Sequence, residues 1–115
     1  MTNASSLERR LRAEMTGDVL FDGFSRGRYA TDASFYQIMP AGVVIPRTMD
    51  EALRALAIAG DDGRIVTPRG GGTSQCGQTV NHSLVVDCSK YLNKLVSLDV
   101  AGRTWGCGAG ILNRL

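Results

Sequence analysis

Three adjacent glycines place the tightest constraint on this chain. In Pro68-Arg69-Gly70-Gly71-Gly72-Thr73-Ser74-Gln75-Cys76-Gly77-Gln78 they follow the β-branched run Ile65-Val66-Thr67, so the backbone leaves a strand with no Cβ to fill the bend. Successive bare N–H groups can then point into one concavity. Thr73 and Ser74 add hydroxyl donors and Arg69 adds a fixed cation, a set suited to an anionic diphosphate. Two better-known phosphate motifs do not fit. No Lys follows the last glycine, as a P-loop requires, and Thr-Ser-Gln-Cys-Gly-Gln is a poor start for the helix that a Rossmann fingerprint opens. On these residues alone an ordinary flexible turn explains the glycines equally well.

The surroundings favour a built loop over a casual one. Val43-Val44-Ile45 is a short β-branched run closed by Pro46, and Thr48 with Glu51 three residues on forms a capping box. Met49, Ala52, Leu53, Leu56 and Ala57 recur at helical spacing, and Gly60 stands where a left-handed cap is expected. Ile65-Val66-Thr67 and Leu84-Val85-Val86 read as further strands. The first two strands are expected to run parallel through a right-handed crossover. Leu95 to Val100 alternates, with Val96, Leu98 and Val100 on one face, and Ala101-Gly102 turns the chain into Arg103-Thr104-Trp105 as a hairpin. Upstream, a Ser5–Glu8 capping box, the stripe Leu7, Leu11, Met15 and a terminal Gly17 predict a short amphipathic helix.

Four segments in order carry a resemblance. They are Arg26-Gly27-Arg28-Tyr29-Ala30-Thr31-Asp32-Ala33-Ser34-Phe35-Tyr36-Gln37-Ile38-Met39-Pro40, Val43-Val44-Ile45-Pro46, Pro68 to Ser74 with Gly77-Gln78, and Val85-Val86-Asp87-Cys88-Ser89. Together they resemble FAD-linked oxidases of the vanillyl-alcohol oxidase superfamily, with a PCMH-type FAD-binding domain, from about Phe24 onward. The branch they look most like oxidises D-2-hydroxy acids such as D-lactate or D-2-hydroxyglutarate. The resemblance implies an α+β fold: the first half of that domain, a small sheet with a β-α-β crossover and a hairpin. Residues 1–23 are then an N-terminal helix and linker, and residues 24–115 a partial FAD-binding domain truncated at its C-terminal end.

The resemblance further implies that Arg69, Gly70, Gly71, Gly72, Thr73 and Ser74 contact the FAD pyrophosphate, largely through main-chain N–H groups, with Gly77 and Gln78 beside the flavin. Some members carry a histidine in this loop joined covalently to the flavin. Thr73 and Ser74 stand there in this chain, so FAD is expected to be held non-covalently. The implied reaction is hydride transfer from the α-carbon of a D-2-hydroxy acid to FAD. The catalytic base is not identifiable, and a quinone, a cytochrome or oxygen could accept the electrons. Iron–sulfur ligands are not encoded here, so a cluster could be carried only by sequence beyond Leu115. With 115 residues, and with Ile111-Leu112-Asn113-Arg114-Leu115 opening a helix at the very end, the chain is expected to be an N-terminal fragment. The alternative is a non-catalytic nucleotide-binding module that keeps the phosphate cradle alone.

Near its end the chain departs from the family pattern. Trp105-Gly106-Cys107-Gly108-Ala109-Gly110 replaces a β-branched strand, which weakens the second edge of the hairpin, and only Gly110 and Ile111 fit comfortably.

Composition excludes partners more than it names them. The 13 basic and 11 acidic residues are interspersed for a net charge of +2, with no cationic face for nucleic acid. No run approaches the ~18 apolar residues of a membrane span, and Met-Thr-Asn-Ala-Ser-Ser lacks the regions of a signal peptide. Cys76, Cys88 and Cys107 have neither metal spacing nor an even count, and read as free thiols of a cytoplasmic protein. No metal site is expected. His82 lies between Asn81 and Ser83, where surface solvation explains it best. Asp32 and Asp87 read as a loop cap and a strand end, Tyr29 and Tyr36 as aromatic anchors or as stacking partners for the cofactor, and Arg69 as a pyrophosphate clamp or an exposed turn charge.

Overall fold

Val43-Val44-Ile45 and Leu84-Val85-Val86 become the two central strands of a sheet buried on both faces, the position that continuous β-branched runs favour. The computed structural model describes residues 2–107 in the order α1 (Thr2–Glu14), β1 (Asp18–Leu20), α2 (Gly23–Arg28), β2 (Gly42–Ile45), α3 (Met49–Asp61), β3 (Val66–Arg69), β4 (Leu84–Asp87), β5 (Leu95–Asp99) and β6 (Thr104–Cys107). The architecture is α+β: a mixed sheet ordered β1-β2-β4-β3 and a separate antiparallel pair β5-β6. The C-terminal helix expected at 111–115 lies outside the described residues, as do Gly110 and Ile111.

Strand alternation sorts the core into two layers. Val44, Leu84 and Val86 point to one face, where they meet Leu7, Leu11 and Met15 of the N-terminal segment and Ala55, Ile58 and Ala59 of α3. Val43, Ile45 and Val85 point to the other face and pack with Tyr29. Each fully buried Leu, Ile or Val contributes about 1.5–3 kcal/mol of transfer free energy. The stripe Leu7, Leu11, Met15 is therefore buried as its spacing predicts.

Several local expectations need correction. The first helix begins at Thr2, so Ser5 lies inside it, and Glu8 accepts from Arg12 one turn later at 3.0 Å instead of capping. Gly17 does not cap this helix. It packs against β2 so closely that a Cβ would sit 2.0 Å from the Ile45 carbonyl oxygen. In α3 the Thr48 hydroxyl does cap, accepting from the Glu51 amide at 3.2 Å. The cap at the other end is Gly63 (φ 69°), not Gly60, because the helix runs on through Asp61. The Arg64 amide reaches the Ala59 carbonyl at 2.8 Å and that of Gly63 reaches Gly60 at 3.1 Å, a Schellman closure.

The buried face of α3 is also different. Ala52, Ala55, Ile58 and Ala59 face the core, while Met49, Leu53 and Leu56 are exposed. Alanines allow the helix to lie close to both α1 and the sheet, where larger residues would hold it off. The strand expected at 65–67 is shifted to Val66–Arg69, leaving Ile65 exposed; as the edge of the sheet it tolerates Pro68. Finally, β2 and β3 both run parallel to β4, which lies between them, so the two strands of the β-α-β unit are not neighbours. The hairpin forms with Gly106 inside β6 and a register irregularity between Leu95 and Ser97.

Candidate functional site at the carboxyl end of the parallel strands

Ile45, Arg69 and Asp87 close the three parallel strands at one end of the sheet, the end at which open α/β sheets place ligands. Arg69 is the last residue of β3, and its carbonyl accepts from the Cys88 amide at 2.9 Å, which fixes where the glycine loop departs. Beyond it the amides of Gly70, Gly71, Gly72, Thr73 and Ser74 donate to no backbone carbonyl or protein side chain among the described residues. The loop thus offers a run of free donors, as three glycines and two hydroxyl residues suggest.

Two glycines adopt conformations that other residues rarely reach. Gly72 has φ 69°, and a Cβ there would stand 2.4 Å from Nη2 of Arg69. Gly77 has φ 80°, and a Cβ there would meet the Tyr36 ring at 2.8 Å. Gln78 turns its Oε1 back to accept from the Cys76 amide at 3.2 Å, bracing the turn. Of the eight candidate residues, Arg69 and Gly72 are in direct apposition, Gly70 to Ser74 form the open arc, and Gly77 and Gln78 form the turn after it.

The segment 29–40 holds this loop from the side. Thr31 and Gln37 bridge as antiparallel partners, and the Ile38 amide reaches the Ala30 carbonyl at 2.9 Å. Asp32 accepts from the Ser34 hydroxyl at 2.5 Å and its amide at 2.8 Å, and from the Thr79 hydroxyl at 3.0 Å. The Ser34 hydroxyl bond, followed by the other donors, outweighs partial burial and lowers the Asp32 pKa below its ordinary value. The loop-capping reading of Asp32 is right, but its partner Thr79, 47 residues away, could not be read from spacing. Tyr36 covers Gly77, and Phe35, 93% exposed, stacks on Tyr36 with ring centroids 5.1 Å apart.

Sequence reasoning missed the group beneath Arg69. Its guanidinium carbon lies 5.1 Å from the centroid of the Tyr29 ring, and Nη1 is buried with no hydrogen-bond partner. The Tyr29 hydroxyl donates to Oδ2 of buried Asp87 at 2.5 Å. Burial, reinforced by this carboxylate, raises the Tyr29 pKa, so the phenol stays protonated. A cavity of about 380 Å³ opens next to this group, lined by Asp18, Leu20, Arg28, Tyr29, Asp87 and Lys90 among others, but by no residue of the glycine loop. Cys76 and Cys107 are exposed and Cys88 is half-buried, all as free thiols, and His82 is exposed with Nδ1 3.0 Å from the Met39 carbonyl oxygen.

An orphaned buried guanidinium nitrogen, a row of free amides and a glycine whose Cβ would collide are brought together here, a donor set whose chemistry suits an anion. The profile of the FAD binding domain family matches residues 40–114, which include all of it. The chain belongs to this FAD-binding family. It is 40% identical over 87 residues to D-2-hydroxyglutarate dehydrogenase of Escherichia coli (strain K12), covering 73% of this chain and 8% of that protein. Against the D-2-hydroxyglutarate dehydrogenase of Pantoea ananatis (strain AJ13355) identity is 32% over 100 residues, 84% of this chain and 10% of the relative. The glycolate oxidase subunit GlcD of Bacillus subtilis (strain 168) is 33% identical over 103 residues, 86% of this chain and 22% of that subunit. The chain thus spans between 8% and 22% of the length of these relatives.

Solved structures agree on the fold. Alkyldihydroxyacetonephosphate synthase superposes with a TM-score of 0.71 at 20% identity over 83% of this chain and 22% of the other. p-Cresol methylhydroxylase superposes with a TM-score of 0.65 at 15% identity over 86% of this chain and 21% of the other. The PCMH-type architecture expected from the four segments is therefore present.

Proposed function

We propose that this chain is the FAD-binding part of a flavin-dependent oxidoreductase that oxidises a D-2-hydroxy acid, D-2-hydroxyglutarate or D-lactate. The observation that carries the reading is the buried, unpartnered Nη1 of Arg69 beside the free amides of Gly70 to Ser74. In this assignment Arg69, Gly70, Gly71, Gly72, Thr73 and Ser74 hold the FAD pyrophosphate, and Gly77 and Gln78 lie beside the flavin. A guanidinium and a row of backbone donors suit a dianion held without protein–cofactor covalency. Neither Thr73 nor Ser74 offers an imidazole for a covalent link, which supports non-covalent binding. When bound, FAD supplies the two-electron oxidation, and the protein supplies binding and orientation. Tyr36 and Gly77 shape one wall, and Asp32 with Thr79 keeps that wall against the loop.

The substrate class rests on the names of the relatives. Four of those compared are D-2-hydroxyglutarate dehydrogenases and one is a glycolate oxidase subunit, so a 2-hydroxy carboxylate is common to all. Their enzymatic names also favour this reading over a non-catalytic nucleotide-binding module.

Titration with FAD, followed by visible absorbance and calorimetry, tests the cradle. Gly63 shares the φ of Gly72 but faces open space, so it is a control matched for backbone strain. Gly72→Val should weaken FAD binding about tenfold or more, equivalent to ~1.4 kcal/mol, whereas Gly63→Val should cost stability and leave affinity unchanged. Equal losses of affinity at both positions would remove the assignment. Bleaching of the bound flavin band by D-2-hydroxyglutarate or D-lactate, and not by the L-enantiomers, tests the substrate.

A further inference from the structure

Arg69 and Asp87 are register partners on adjacent parallel strands, so their side chains leave the sheet on the same face. Opposite charges in that relation normally pair. Here they do not: among the described residues Arg69 makes no ion pair. Three hydrogen bonds to other residues occupy most of the roughly four lone-pair positions of Asp87. Oδ2 accepts from the Tyr29 hydroxyl at 2.5 Å, and Oδ1 accepts from the Ser89 amide and the Ser89 hydroxyl, each at 2.7 Å. The guanidinium lies instead on the face of the Tyr29 ring and against Gly72, with Nη1 buried and unbonded.

We propose that Tyr29 is a positioning residue that withholds Asp87 from Arg69 and so keeps the guanidinium available for a pyrophosphate dianion. This deepens the reading of the loop as a pyrophosphate site and rests on it. Tyr29 does so with two parts of one side chain. Its hydroxyl satisfies the carboxylate that would otherwise neutralise Arg69, and its ring supports the cation without offering a lone pair to compete with the anion. An Arg69–Asp87 contact in this half-buried place would have to break each time an anion entered, and would leave Asp87 short of a partner when it did.

Tyr29→Phe keeps the ring and removes the hydroxyl, which separates the two parts. With Asp87 freed to pair with Arg69, affinity for FAD and for inorganic pyrophosphate should fall about tenfold, equivalent to ~1.4 kcal/mol. Adding Asp87→Asn in the Tyr29→Phe background should restore affinity to within about twofold of the parent chain, because the competing charge is gone. Asp87→Asn alone should leave affinity within about twofold, since Asp87 is already withheld. A purely structural role for Tyr29 gives no such rescue. Calorimetry measures the cycle, and circular dichroism confirms the fold of each variant. Should Tyr29→Phe not fold, a tenfold gain on Asp87→Asn alone overturns the proposal, and unchanged affinity upholds it. A flat cycle with FAD bound sinks this inference alone. Binding of pyrophosphate but not FAD, with the cycle intact, sinks the flavin reading and leaves the inference standing. Binding of neither anion sinks both.

Discussion

β4 and β5 are consecutive strands of 4 and 5 residues, yet every residue of β4 is buried and every residue of β5 is exposed. Both runs are rich in Leu and Val, and both hydrogen-bond to a partner strand. The difference is cover. β4 has a parallel neighbour on each side, α1 and α3 on one face and Tyr29 on the other. β5 has the single partner β6, and Leu95, Val96, Leu98, Val100 and Trp105 around it remain exposed. Hydrogen bonding therefore defines both strands, while burial stabilises only one, and an isolated two-stranded ribbon is marginal in water. The candidate site follows this division: Arg69 and Asp87 leave the well-packed sheet, which can hold them still.

The comparison breaks most sharply if the two strands respond alike to losing a leucine side chain. Leu84 in β4 is 0% exposed, and Leu84→Ala should cost about 2–5 kcal/mol through lost transfer energy and the cavity left behind. Leu98 in β5 is 65% exposed, and Leu98→Ala should stay within about 0.5 kcal/mol. Urea denaturation monitored by circular dichroism measures both. A loss at Leu98 rivalling that at Leu84 would mean the hairpin is covered by something in solution.

Adding a methyl group sharpens the same contrast. At Gly17 a Cβ would lie 2.0 Å from a backbone oxygen of β2, which cannot swing away, so Gly17→Ala should cost about 1–3 kcal/mol. At Gly106 in β6 the nearest atom is the Ser97 hydroxyl at 2.8 Å, the end of a side chain free to rotate. Gly106→Ala should therefore be near neutral, since alanine also loses less entropy than glycine in a strand. Thermal melts of the two variants decide the point, and a destabilised Gly106→Ala would show that the hairpin is packed rigidly.

What the sequence made legible divides along this line too. Val43-Val44-Ile45 and Leu84-Val85-Val86 could be read as strands because β-branched runs carry their own signal, and the glycine loop because glycine clusters mark turns, with Gly72 and Gly77 at φ values that favour glycine. The face of α3 could not be read correctly. Leu53 and Leu56 outweigh Ala55 and Ala59 in any hydrophobic tally, but the space between α1 and the sheet admits only the alanines. Gly17 resembled a helix cap because a cap and a close approach both demand the absence of a side chain. The withheld charge of Asp87 was invisible for another reason: Tyr29 is 58 residues away, and only the folded sheet brings hydroxyl and carboxylate together.

The smallest effect comes from the joint that fixes the first turn of the chain to the packed half. Glu51 accepts from the Gly17 amide at 3.0 Å, the Arg47 amide at 3.4 Å and the Thr16 hydroxyl. Partial burial alone would raise its pKa, but these bonds from Thr16, Gly17 and Arg47 outweigh it and bring the value below the ordinary 4.5. A carboxylate more acidic in the folded than in the unfolded chain stabilises the fold above the unfolded pKa. That stabilisation is lost as pH falls through the folded value. Glu51→Gln should thus cost about 1 kcal/mol at neutral pH, allowing for solvent screening of a partly exposed group. The gap between variant and parent should close as pH drops from 4.5 downward. Urea titrations at neutral and acidic pH measure it. A gap that stays constant across that range would mean the charge of Glu51 contributes nothing, and that its neutral amide replacement loses only geometry.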